Sequence, residues 1–178
     1  MVNLGDARMT ESSQAPPVAP GGQWIGLLVC LGVTAVAAAA GAIASVDAAA
    51  FYTLLSKPDW APPALLFGPV WTVLYVLMAI AAWLVWRRDG LSGAKGPLVL
   101  YVIQLALNAL WTWLFFRWRQ GEAAIVEIMV LWLFVLLTLV VFRRRSVLAG
   151  LLLLPYLAWV TFAMALTMEI WRRNARVL

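Results

Sequence analysis

The 178-residue sequence is 65% hydrophobic and 12% charged, with a mean hydropathy of +0.91, which excludes an ordinary water-soluble domain and points to one small bundle of membrane-spanning helices. Its net charge of +5 comes mainly from arginines between apolar runs, the usual place of membrane-flanking cations, so nucleic-acid binding is a poor reading. With no histidine and a single cysteine, Cys30, the chain builds neither a disulfide framework nor a zinc site.

In chain order, residues 1–23 are polar and rich in Pro, Gly and Ser, and are expected to form a disordered tail, with Met9 an alternative start. The tail lacks a basic stretch directly before the apolar run, and four more runs follow, so residues 24–46 are expected to be a retained first span and not a cleaved signal. Its run of small side chains from Ala35 to Ala42 suits close packing of another helix.

A longer loop over 47–61 leads to a second span over 62–86. Between them lies SKPDWAPPALLFGPVWTVLY, Ser56 to Tyr75, a proline-stiffened turn that carries aromatic residues into the second span. Pro62 and Pro63 fit the first turn of a helix, where a missing N–H costs nothing, and Pro69 is expected to bend the helix at the level of Trp71. Trp71 and Tyr75, at i and i+4, share a face.

Residues 87–97 read as a polar connector with glycines at helix-stop positions, and 98–116 as a third span. Gln104, Asn108 and Trp111 lie along one face of it, and two amides in hydrocarbon need partners, so that face points into the bundle with structural bonding as the favoured role. The short link 117–122 forces the fourth span, 123–142, to run back antiparallel. Glu127 inside it is neutral, snorkelling, or paired with Arg117 or Arg119 across the link; pairing is the preferred expectation.

After the arginines at 143–145 a fifth span covers 147–170, bent at Pro155, with Trp159, Ala163 and Leu166 on one face forming a ledge for a flat apolar ligand. Glu169 is placed to pair with Arg172 and Arg173 at the helix end, and residues 175–178 form a short tail. Of eleven tryptophans, Trp24, Trp83, Trp86, Trp118 and Trp171 suit interfacial belts. Trp71, Trp132 and Trp159 lie away from the charged flanks, as core packing or as a ligand-facing wall. Basic residues divide seven to six between the two sides, so charge gives no orientation.

Four segments together resemble the TspO/MBR family: KPDWAPP with GPVWTVLY, QLALNALW with FF, EI with LW, and PYLAW with WRRN, from about Phe51 to Asn174. The resemblance implies an all-α membrane protein, a five-transmembrane-helix bundle over 24–174, often a homodimer, with a cavity closed by the first loop. It also implies binding of porphyrins such as protoporphyrin IX or haem, and a role in tetrapyrrole transport, sensing or light-dependent porphyrin breakdown. Trp71 matches the tryptophan of its PVW motif and Trp159 that of PYLxW, the pair placed at the porphyrin. Ala163 and Leu166 match the fifth-helix ligand face, Trp60 with Pro62 and Pro63 the WxPP loop, and Asn108 the third-helix asparagine. The family's usual Leu-Asn on the fifth helix is replaced here by Thr167 and Met168, a departure from the sterol motif of its animal members.

Residues and resemblance meet in an expected pocket walled by Trp71, Tyr75, Trp159, Ala163 and Leu166 under the 56–63 turn. Without histidine, an iron has only Tyr, Met, Cys30 or a carboxylate as ligands, so metal-free or weakly ligated tetrapyrroles suit it better, and no metal or cofactor is required. The expected protein is a multi-pass binder, sensor or carrier in the lipid bilayer. A photo-oxidative enzyme is the second class, with no nucleophile or general base evident, and a structural membrane partner the third.

Overall fold

The computed structural model describes residues 20–178. Of the expected tail, residues 1–19 lie outside the described residues, whereas 20–23 already belong to the first helix. The regular elements are helical: α1 (Pro20–Ala44), α2 (Ala48–Leu54), a 3-10 turn (Ala64–Leu66), α3 (Phe67–Thr112), a π turn (Trp113–Arg117), α4 (Gly121–Arg145) and α5 (Val147–Arg173). Four of these stretches are long and apolar enough to cross a membrane.

The largest difference from the sequence reading is α3. Its 46 residues would extend about 69 Å at 1.5 Å per residue, more than twice a hydrocarbon core. It does not run straight, because Gly90 has φ 65° and ψ −178°, a region that in practice only glycine occupies. The arms on either side, 67–89 and 91–112, fold back on each other: Tyr75 Oη donates to Asn108 Oδ1 (2.8 Å), and Gln104 Nε2 contacts Met78 Sδ (3.7 Å). The expected polar connector over 87–97 is therefore helical apart from one residue. A single φ-positive glycine reverses the chain where the polar sequence suggested a loop.

α1 lies along both arms. Thr34 Oγ1 and Tyr101 Oη are 2.6 Å apart, Trp113 Nε1 donates to the Ala40 carbonyl, and Trp83 Nε1 donates to the Gln23 carbonyl. α4 packs on α3 and α5, and Ser146 caps α5 by accepting from the Ala149 N–H. The core between them is sealed by Met78, Val85, Tyr101, Leu131, Phe142 and Tyr156, each buried. Leucines and valines such as Leu28, Val73, Val126 and Leu151 form the exposed outer face, the pattern of helices solvated by lipid.

Three proline and charge expectations are corrected. Pro63 is extended (ψ 144°) ahead of the 3-10 turn, so neither Pro62 nor Pro63 lies in the first turn of α3. That place is taken by Pro69, third residue of α3, which therefore lies in the first turn and not in the helix interior, with helical φ/ψ running on from it past Trp71. Glu127 makes no ion pair with Arg117 or Arg119, both of which are exposed. Arg119 adopts φ 55° and lays its guanidinium over Phe51, 4.7 Å from the ring centroid, while Glu127 faces inward with both carboxyl oxygens buried and unpartnered. Replacing Glu127 with Leu is accordingly expected to raise stability by about 1–3 kcal/mol, because two desolvated oxygens disappear. Thermal unfolding in detergent checks this, and a fall of similar size would reveal a partner for the carboxyl. The Glu169 pairing is present, with Arg172 at 2.9 Å and Arg173 at 2.7 Å.

Candidate functional site

The cavity arises where α1 meets α3 through small side chains. Ala38, Gly41 and Ala42 line it, so the run that lets α1 approach α3 closely, with Trp113 Nε1 donating to the Ala40 carbonyl, also leaves space beside the arms. The cavity holds about 520 Å3, within the ~300–1,000 Å3 of small-molecule sites. Its remaining wall comes from Ser45 after α1, from Ala48, Ala49 and Tyr52 of α2, from Ala64 of the 3-10 turn, from Phe67, Gly68, Trp71, Thr72 and Tyr75 at the start of α3, from Trp111 and Thr112 at its far end, from Phe116 of the π turn, and from Trp159 and Ala163 of α5.

Of the residues expected at the site, the fold brings together Trp71, Tyr75, Trp159 and Ala163. Leu166 is buried in the core outside the lining, and Asn108 is buried one layer behind Tyr75. Trp60, Pro62 and Pro63 stand in the loop above. Trp60 is linked to the cavity through ring contacts, to Phe162 at 5.7 Å and from Phe162 to Trp159 at 5.4 Å. Trp159 also meets Phe67 edge-on at 6.0 Å, and Trp71 lies 5.5 Å from Tyr75 and 6.2 Å from Tyr156. These spacings are those of favourable aromatic pairs, which stiffen the wall.

The polar atoms of the lining are mostly engaged with their own helices. Ser45 Oγ donates to the Gly41 carbonyl (2.9 Å), Thr72 Oγ1 to the Gly68 carbonyl (2.9 Å) and Thr112 Oγ1 to the Asn108 carbonyl (3.2 Å). Tyr75 donates to Asn108 Oδ1, and Asn108 Nδ2 donates to Tyr156 Oη at 3.1 Å, which joins both arms of α3 to α5. Among the described residues, none of the lining is charged. Such a wall offers dispersion and ring stacking over a broad face, and its hydroxyls are poorly placed to act as nucleophiles or bases. Tyr52 and Tyr75 are the oxygen ligands it offers to an iron.

Asn108 therefore holds the wall in place from behind. Asn108→Leu is expected to cost about 1–3 kcal/mol of stability, since the hydroxyls of Tyr75 and Tyr156 lose a buried partner. Affinity for a ligand in the cavity should fall less than stability does. Loss of affinity at unchanged thermal unfolding would instead assign Asn108 to the ligand.

A lid closes the loop end. Tyr52 Oη donates to the Pro62 carbonyl at 3.0 Å, and burial pushes its phenol above the ordinary range, keeping that proton in place. Lys57 Nζ donates to the carbonyls of Tyr52 and Leu55. Asn174, just beyond α5, binds Ser56 twice: its Nδ2 donates to the Ser56 carbonyl (2.8 Å) and its Oδ1 accepts from the Ser56 N–H (2.9 Å). Sequence reasoning missed Asn174 as a fastener and missed the contribution of α1. A residue 118 positions from its partner carries no local signal, and an Ala–Gly run reads the same whether it packs or leaves a void.

Residues 23–172 match the sequence profile of the TspO/MBR family. The chain is 40% identical over 157 residues to the tryptophan-rich protein TspO of Chlorobaculum tepidum, covering 85% of this chain and 98% of that one. It is 39% identical over 151 residues to the tryptophan-rich sensory protein of Cereibacter sphaeroides, covering 85% and 92%. It is 41% identical over 126 residues to the translocator protein of Homo sapiens, covering 70% and 75%.

Proposed function

The chain belongs to the TspO/MBR family, and from that membership we propose that it binds a tetrapyrrole within the membrane and acts in porphyrin transport or sensing. It is an integral multi-pass membrane protein, with four helical stretches long and apolar enough to span. In the proposed arrangement the two arms of α3 each cross once, giving five crossings. The observation that carries the reading is the uncharged, aromatic cavity of about 520 Å3 with Trp71 and Trp159 in its wall. Protoporphyrin IX presents two broad π faces, which such a wall accepts by stacking, and two propionates, which then point out of the uncharged cavity toward the interface. The relatives, one a sensory protein and one a translocator by name, fit a protein that captures and hands on a ligand.

With tyrosine oxygens as the iron ligands on offer, metal-free protoporphyrin IX suits the site better than haem. A second reading is favoured by the electron-rich indoles in the lining: photoexcited porphyrin takes one electron from an indole, leaving an indole radical cation and a porphyrin radical anion, and dioxygen adds to the reduced macrocycle, so that bleaching consumes dioxygen and oxidises the indole. Titration of the purified protein with protoporphyrin IX, dark and illuminated, with tryptophan fluorescence and porphyrin absorption followed together, tests both. Saturable quenching without pigment loss supports the binder; absence of saturable quenching would overturn it. In the Trp71→Phe, Trp159→Phe double variant a stacking role costs roughly 0.5–1.5 kcal/mol per site. Loss of light-dependent bleaching at retained affinity would establish the photochemical reading.

A further inference from the structure

Trp159 has a second hollow on its other side. A groove of about 530 Å3 runs between the first arm of α3 and α5 on the outside of the bundle, bordered by Pro69, Val73, Pro155, Ala158 and Phe162. Val73 and Ala158 are exposed there, and Trp159 belongs to both the groove and the inner cavity. Trp159 is the thirteenth of the 27 residues of α5, so the groove lies near the middle of that span. An indole at that depth is far from the interfacial belts where membrane tryptophans collect, and a groove there opens onto hydrocarbon and not water.

The loop end of the cavity is fastened. Moving the lid breaks the Tyr52–Pro62 bond, the paired Asn174–Ser56 bonds and the Lys57 contacts with two carbonyls. Moving the half-buried Trp159 side chain breaks ring contacts with Phe67 and Phe162 and apolar packing on the core, with no hydrogen bond to break among the described residues. The macrocycle of the ligand argued above partitions into a bilayer, with its two propionates held toward the polar interface. We propose that this groove is a lateral portal, through which a flat apolar ligand passes between the bilayer hydrocarbon and the cavity, with the Trp159 side chain as the gate. The proposal rests on the binding reading and names its route.

A gate alters the barrier and leaves the bound and free states as they were, so filling the groove slows association and dissociation equally. Ala158→Phe and, as a second variant, Val73→Phe place a ring in the groove from the lipid side, and neither residue lines the cavity. With protein in lipid nanodiscs and protoporphyrin IX delivered from vesicles, stopped-flow tryptophan quenching gives both rates. Both are expected to fall together by about tenfold or more with the dissociation constant unchanged. Wild-type rates in both groove variants, or a rise in both rates in Asn174→Ala with the groove variants matching wild type, would overturn the portal in favour of the lid while leaving the binding reading intact. A wild-type protein without saturable binding would overturn both.

Discussion

Gly41→Phe is expected to weaken protoporphyrin IX binding about a hundredfold, ~2.7 kcal/mol, with the fold intact. Gly41 lines the cavity, and a Cβ built on it meets Thr112 Oγ1 at 3.6 Å and Tyr75 Oη at 3.8 Å, both ordinary contacts. The first carbon therefore fits without displacing a helix, and the ring beyond it occupies the space left by the small residues of α1. Replacing a glycine inside a helix also removes a backbone penalty of about 1 kcal/mol, which favours retained stability. Gly41→Ala, which adds the Cβ alone, should bind nearly as wild type. Tryptophan-quenching titrations of both variants beside thermal unfolding check this; wild-type affinity in a folded Gly41→Phe would move the site elsewhere.

Gly150→Val is expected to produce the largest loss of stability, about 3 kcal/mol or more, the upper end of overpacking costs. α4 and α5 meet at Ser146, and a Cβ at Gly150 would stand 2.6 Å from Arg143 Cβ and 2.9 Å from Arg143 Cα. The second of these is backbone, so neither a rotamer change nor a side-chain swing relieves the clash, and the α4–α5 corner must open. Gly150→Ala should show the same effect to a smaller degree. Unfolding at the wild-type temperature in both variants would show that this corner yields freely.

What could be read from the sequence was what local pattern governs. The apolar runs locate the helices, and i, i+4 spacing correctly put Gln104, Asn108 and Trp111 on a buried face and Trp71 with Tyr75 on another. The Trp159–Ala163 face reaches the cavity for the same reason, whereas Leu166, nearly two turns on from Trp159, lies in the core outside the lining. What escaped depends on backbone choices or on distant partners. Gly90 was one of several glycines in a polar stretch, and only its left-handed φ singles it out as the reversal. Helix α2 is too short for periodicity to announce it; Phe51 and Tyr52 fix it by burial. Glu127 looked pairable because Arg117 and Arg119 are near in sequence, but the π turn and the φ of Arg119 carry those cations away from it.

The cavity beside Trp71 and Trp159 is expected to receive the macrocycle, and a structure of the protein with protoporphyrin IX bound in lipid nanodiscs tests this directly. The expected result is the macrocycle inside the cavity, with its faces about 3.5–4.0 Å from the carbons of the Trp71 and Trp159 rings. A macrocycle held on the outer surface, with the space between α1 and the start of α3 unfilled, would contradict it.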